Sequence, residues 1–133
     1  MKEREIKSFC EENNIELLVL FGSCASGGMH PARDIDVAVK SGQKAEISKL
    51  ELIYQLGDFL DGKDLDLVIL TPDTDPLLLY EIFSRGRPIY EKNPGIFDAE
   101  RLRAWKLYLD TERVRMMQKK YLKEFIEKVS NVT

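Results

Sequence analysis

The sequence predicts an α/β (α+β) domain, a mixed sheet flanked by helices, with a C-terminal helical tail. Short apolar or alternating runs at residues 15–21, 34–39 and 64–70 are typical of strands. Between them, apolar residues recur at helical spacing, and the pattern from 97 to 129 is helical throughout. With 133 residues, the chain has room for one ordinary hydrophobic core.

The first two predicted elements are an amphipathic surface helix over 2–13 and a strand over Ile15–Phe21, whose nearly continuous apolar run indicates cover on both faces. The later elements are a turn over 23–28 that can lead into a short helix, a loop over 29–33, a strand over 34–39, a helix over 43–61, a strand over 64–70, a helix over 76–84 and a short strand over 88–91. In the helix over 43–61, the residues expected to face the core are Ile47, Leu50, Ile53, Leu56 and Leu60.

Charge divides the chain into a core, residues 1–95, and a helical tail, residues 96–133, which belongs to the same domain or extends it to bind a partner. The core holds 11 basic and 17 acidic side chains, whereas the tail holds 9 and 6. The basic tail is interpreted either as a solvated helix face or as an interface with an acidic protein or RNA.

The apolar stripe of the tail changes direction along the helix. Leu102, Trp105 and Leu109 share one side, and a second set shares another: Met117, Tyr121, Phe125 and Val129. Either the helix breaks near Asp110–Thr111, or both sides are buried. Burial of both sides needs a partner, which includes a second copy of the chain.

Several classes of protein are excluded or disfavoured by composition. No apolar run is long enough to span a bilayer, and the charged N-terminus is followed by no signal-type segment, so a cytoplasmic location is expected. Cys10 and Cys24 lack the spacing of a zinc site. His30 is the only histidine, which argues against histidine-based metal binding or nucleophile activation.

A glycine and a hydroxyl follow the first predicted strand, at Gly22 and Ser23. A strand that turns into a helix at this point offers backbone amides and a positive dipole end to a phosphate, and glycine permits its close approach. The same dipeptide also suits a plain strand-to-helix turn with a serine cap.

Carboxylates occur on two neighbouring predicted strands. Asp34 and Asp36 are two residues apart and leave the same face of their strand, while Asp66 lies among apolar residues in the next. If the strands are adjacent, three carboxylates converge, and Mg²⁺ would relieve their repulsion. The alternative is a solvent-facing strand edge for the first pair and a surface turn for Asp66.

Taken together, Gly22-Ser23, ten residues, Asp34-x-Asp36 and a later Asp66-Leu-Val resemble the signature of the DNA polymerase beta-like nucleotidyltransferase superfamily. Length and a single domain are most similar to the minimal nucleotidyltransferases, including MNT antitoxins paired with HEPN toxins. The resemblance implies a nucleotidyltransferase fold, catalytic Asp34, Asp36 and Asp66 holding two Mg²⁺ ions, and nucleotide binding at Gly22 and Ser23.

The function that this resemblance implies is transfer of AMP from ATP to a tyrosine of a cognate HEPN toxin, with release of pyrophosphate. Nucleic acid is not the expected substrate. Ser26 stands where many relatives carry arginine, although Arg33 offers another cation. A catalytically weak module that neutralises or scaffolds a partner by binding therefore stays open, as does nucleotidyl transfer to a small molecule.

Overall fold

The computed structural model of the chain describes residues 2–22, 35–42, 48–59 and 64–131. In chain order, the helices and strands of this part are α1 (Lys2–Glu12), β1 (Ile15–Phe21), β2 (Ile35–Ser41), α2 (Lys49–Phe59), β3 (Leu65–Ile69), α3 (Pro76–Arg85), β4 (Arg87–Glu91) and α4 (Ile96–Ser130). Each element in the described part was predicted in kind, with bounds that differ by a few residues.

The four strands form one mixed sheet in the order β3-β2-β1-β4. β1 is antiparallel to both of its neighbours, whereas β2 and β3 are parallel. A parallel pair needs a crossover connection, and α2 lies within the segment that joins these two strands. The mixed sheet flanked by helices that the sequence predicts is confirmed.

Both faces of the sheet are covered, which explains why β1 is apolar almost throughout. One buried cluster joins α1 and α2 to the sheet and contains Ile6, Phe9, Cys10, Ile15, Leu18, Ile35, Val37, Val39, Leu52, Leu56 and Leu67. The other joins α3 and α4 to the opposite face and contains Leu17, Val19, Phe21, Ala38, Leu79, Ile82, Phe83, Phe97 and Ala104. α1 lies at the surface and buries only a narrow stripe, as expected.

The buried stripe of α2 differs from the predicted one. Leu50 is 79% exposed, whereas Leu52 is 1% exposed. Leu52 and Leu56 are one helical turn apart and set the buried face, and Leu50 lies about 200° around the helix from Leu52. The expectation for Leu50 was therefore wrong, while those for Ile47 and Leu60 concern residues outside the described part.

α4 is one continuous helix of 35 residues that passes through Asp110 and Thr111 without a break. The Thr111 hydroxyl donates a hydrogen bond to the Leu107 carbonyl at 2.8 Å, so this residue is accommodated inside the helix. Both predicted apolar stripes are exposed in this chain. The helix therefore does not break, and burial of both stripes by a partner stays a prediction. Within the chain, α4 packs on the domain through residues that include Phe97 and Ala104.

None of the helices in the ranges that the structure covers, α4 included, combines the length and hydropathy needed to cross a membrane.

Candidate active site

Three elements meet at one edge of the sheet, where β1 ends and where β2 and β3 begin. Phe21 at the end of β1 pairs with Asp36, and Asp36 pairs in parallel register with Asp66. Partners in adjacent strands present their side chains on the same face, with strands about 4.8 Å apart. The backbone therefore brings Asp36 and Asp66 together, and we call this region, with Gly22, the aspartate edge.

The two aspartates share the face of the sheet that α3 and α4 cover. Ile35, Val37 and Leu67 point into the core on the opposite face, and Ala38 lies two residues beyond Asp36 on the aspartate face. Asp36 is half-buried, whereas Asp66 is exposed. The expectation that Asp66 is embedded among apolar residues was wrong, because its apolar neighbours face the other way. The strand register, and not burial, identifies Asp66.

Gly22 ends the first strand in a conformation that favours glycine. Its φ is +75°, and a Cβ atom at this position would lie 2.2 Å from Oδ2 of Asp36. Residues with a side chain rarely adopt such a φ, and no atom fits at that distance. The glycine therefore lets the backbone pass directly beside the Asp36 carboxylate, while the expected approach of a phosphate to Gly22 stays a prediction.

Two of the predicted site residues, Ser23 and Asp34, lie outside the described residues, as do Ser26, His30 and Arg33. Within the described ranges, no group of three His, Cys, Asp or Glu side chains gathers as a metal site. The aspartate edge brings together two carboxylates, one from β2 and one from β3. Neighbouring carboxylates of this kind suit Mg²⁺, which prefers oxygen ligands and takes the rest from phosphate and water.

One cation near the end of β1, Arg85, was not predicted from the sequence. Arg85 is exposed in the last turn of α3, on the same face of the sheet as the aspartates. The next residue, Gly86, lies so close to the end of β1 that a Cβ atom would be 3.2 Å from the Leu20 carbonyl oxygen. The signal in the sequence is this glycine directly after a helical segment, since it places the helix end and its arginine.

Comparison with known proteins agrees with this geometry. The family described as "Polymerase beta, Nucleotidyltransferase" matches residues 4–95, which include Gly22, Asp36 and Asp66. The protein adenylyltransferase MntA of Shewanella oneidensis (strain MR-1) is 30% identical over 93 residues. That alignment covers 68% of this chain and 66% of MntA, just under two thirds of the relative's length.

Solved structures show the same fold. A chain of a toxin-antitoxin crystal structure with AMP-PNP superposes with a TM-score of 0.73 at 24% identity, covering 92% of this chain and 99% of that one. A structure of the tri-AMPylated Shewanella oneidensis HEPN toxin in complex with MNT antitoxin gives 0.66 at 21% identity, covering 92% and 96%. The resemblance to minimal nucleotidyltransferases of HEPN/MNT pairs is confirmed, and the chain belongs to the polymerase beta nucleotidyltransferase family.

Proposed function

We propose that this chain is a Mg²⁺-dependent antitoxin enzyme that transfers AMP from ATP to a tyrosine of a HEPN toxin. The observation that carries the proposal is the parallel register of Asp36 and Asp66 beside Gly22. The relatives support it, because MntA is a protein adenylyltransferase and a structural neighbour holds an AMPylated HEPN toxin. Because the reaction consumes cellular ATP, we place it in the cytoplasm.

In the proposed reaction, the tyrosine oxygen attacks the α-phosphorus of ATP. A bond forms between these atoms, the bond from the α-phosphorus to the bridging oxygen breaks, and pyrophosphate leaves with the electron pair. Asp66, on the outermost strand of the sheet, is exposed and so open to an incoming hydroxyl, whose proton its carboxylate accepts. The acceptor is thus a protein side chain that reaches the open side of the aspartate edge.

Asp36 and Asp66, with Asp34, are the residues that would hold Mg²⁺. A pair of bound ions would neutralise the phosphate charge and orient the α- and β-phosphates. Gly22 and Ser23 would receive the triphosphate after β1, where the glycine lies directly beside the Asp36 carboxylate. Arg85, in the last turn of α3, would supply near this site the positive charge that Ser26 does not.

The proposal is tested by intact-mass measurement of the cognate HEPN toxin, after incubation with the chain, ATP and Mg²⁺. We expect the toxin mass to increase by one or more AMP units with the wild type and to stay unchanged with Asp36→Asn. A mass increase that persists in Asp36→Asn, or no increase with the wild type, would contradict the proposal.

A second candidate is neutralisation of a partner by binding alone, which the exposed apolar side chains of α4 favour. In that case the toxin is inhibited by Asp36→Asn as strongly as by the wild type, without any change in mass. Calorimetry with Mg²⁺-ATP separates the two candidates, because only an enzyme of the proposed kind needs to bind the nucleotide.

A further inference from the structure

The second half of α4 carries an uncovered apolar surface, which we call the distal face. It consists of seven large apolar side chains, each more than half exposed: Val114, Met117, Tyr121, Leu122, Phe125, Ile126 and Val129. Beyond Ala104, no residue of α4 is classed as buried, and from Met116 onward every residue to the end of the helix is exposed. A contiguous apolar surface of this kind usually marks an interaction site.

The distal face continues the surface by which α4 packs on its own domain. Steps of three or four residues lead from the buried Ala104 through Leu107 and Thr111 to Val114, and onward through Met117 and Tyr121 to Phe125. The domain covers the first part of this stripe and ends before the second. The apolar stripe of α4 therefore continues for about four more turns, and no other element in the described part of the chain packs against it there.

The distal face points away from the aspartate edge. α4 runs antiparallel to α3, because Phe97 packs on Phe83 while Tyr108, further along α4, stacks on Tyr80 with ring centroids 4.0 Å apart. The helix therefore leaves the domain past the N-terminus of α3, whereas the aspartate edge lies near the C-terminus of α3. Residues 116–130 add about 22 Å of free helix.

Charge indicates the kind of partner. The segment from residue 112 to 130 holds six basic and three acidic side chains. A second copy would place two segments of net charge +3 against each other, which disfavours self-association. A partner that offers an apolar groove flanked by carboxylates matches both features.

We infer that the distal face is the docking site for a protein with an apolar groove and acidic flanks, bound through Leu122, Phe125 and their neighbours. This inference rests on the proposed function, in which the HEPN toxin is that protein. α4 holds the docked toxin while the acceptor tyrosine of the toxin reaches the aspartate edge. Binding and AMP transfer therefore depend on different residues and are separable.

The test compares the double variant Leu122→Glu/Phe125→Glu with Leu109→Glu in the full chain. All three positions are exposed, so none of the changes disturbs the core. Leu109 lies about 160° around the helix from Phe125, so its variant adds a carboxylate on the other side. The readouts are the Kd for the purified toxin by calorimetry and the transfer rate as a function of toxin concentration.

We expect the double variant to weaken toxin binding about 100-fold or more and to raise KM for the toxin by a similar factor, with kcat unchanged. Leu109→Glu should stay within about threefold of the wild type. Raising the salt concentration should weaken wild-type binding, because the partner's flanks are acidic. Unchanged binding in the double variant would overturn the inference, even if AMP transfer is normal.

Two further outcomes separate this inference from the proposed function. If the wild type binds the toxin but transfers no AMP, and the double variant loses binding, the docking surface stands and the proposed reaction fails. If the chain sediments as a dimer that the double variant dissociates, a second copy occupies the distal face and the inference is overturned.

Discussion

At the end of β1, Gly22 and Asp36 are so close that the carboxylate occupies the place of a glycine side chain. A Cβ atom at residue 22 would lie 2.2 Å from Oδ2, so there is no room for even a methyl group. Since Asp36 is also half-buried, it has little freedom to move away. The Asp36 carboxylate thus occupies its position only because residue 22 is glycine. The same glycine belongs to the predicted phosphate-binding turn.

Gly22→Ala should therefore displace Asp36 and strain the backbone at a φ of +75°. We expect AMP transfer to fall at least about tenfold and the free energy of unfolding to fall by about 1–2 kcal/mol. The measurements are transfer rates by intact mass and urea denaturation. The control is Gly57→Ala, since nothing lies within 4 Å of a Cβ at this helical position. That change should stabilise the chain by about 0.5–1 kcal/mol and leave transfer unaltered.

Burial makes Cys10 an unreactive thiol. Desolvation, with a smaller contribution from Glu11, raises its pKa from 9.0 to about 12. In a Cys24→Ser background, we expect alkylation at pH 8 to be slow and to become fast in urea. Because the folded pKa is the higher one, the unfolded state releases its proton first, so the contribution of Cys10 to stability is lost as the pH rises from 9 towards 12. Rapid alkylation of the folded chain would contradict this account.

At the scale of the elements, the periodicity of apolar residues was a sufficient guide to kind and order. The run Ile15–Phe21 predicted a strand covered on both faces, and its residues do lie between two helical layers. The error at Leu50 has a simple cause, since this residue has helical spacing from Ile53 but lies about 120° around α2 from the buried Leu56. In the structure, Leu52 and Leu56 are the buried residues of α2.

α3 begins at a cap that its sequence specifies. Asp75 accepts a hydrogen bond at 2.9 Å from the backbone amide of Leu77, and Pro76 occupies the first turn. Asp75→Ala should lower the free energy of unfolding by about 1 kcal/mol. Asp73→Ala is the matched control in the same exposed turn, and it should change stability by less than about 0.5 kcal/mol. Equal losses in the two variants, measured by urea denaturation, would argue against the cap.

At the scale of the whole molecule, contacts between distant residues were beyond the reach of the sequence. Lys40 Nζ lies 2.8 Å from Glu100 and 3.5 Å from Glu16, so β1, β2 and α4 are joined by one cation. The hydrogen bond with Glu100 is the main reason that the pKa of Lys40 is raised. No periodic pattern indicates a pairing across 60 residues. The division of the chain into a core and a tail at residue 95 stays a prediction.

The sequence predicted which residues form the candidate site, but it did not predict how they are arranged. The motif named Asp36 and Asp66, but only the parallel register of β2 and β3 shows that they are neighbours. Parallel pairing is set by the crossover and by the cover on both faces, which a local pattern does not specify. The exposed position of Asp66 and the nearby Arg85 follow from the same packing, so neither was accessible from the motif alone.

The central claim is that the register of β3 selects Asp66 for the reaction. Its neighbour Asp64 is a matched carboxylate two residues earlier, exposed like Asp66 and placed just before the strand. The most direct test compares rates of AMP transfer to the toxin for Asp66→Asn and Asp64→Asn, followed by intact mass. We predict a loss of about 100-fold or more for Asp66→Asn and a change below about threefold for Asp64→Asn. Equal rates in the two variants would contradict the account.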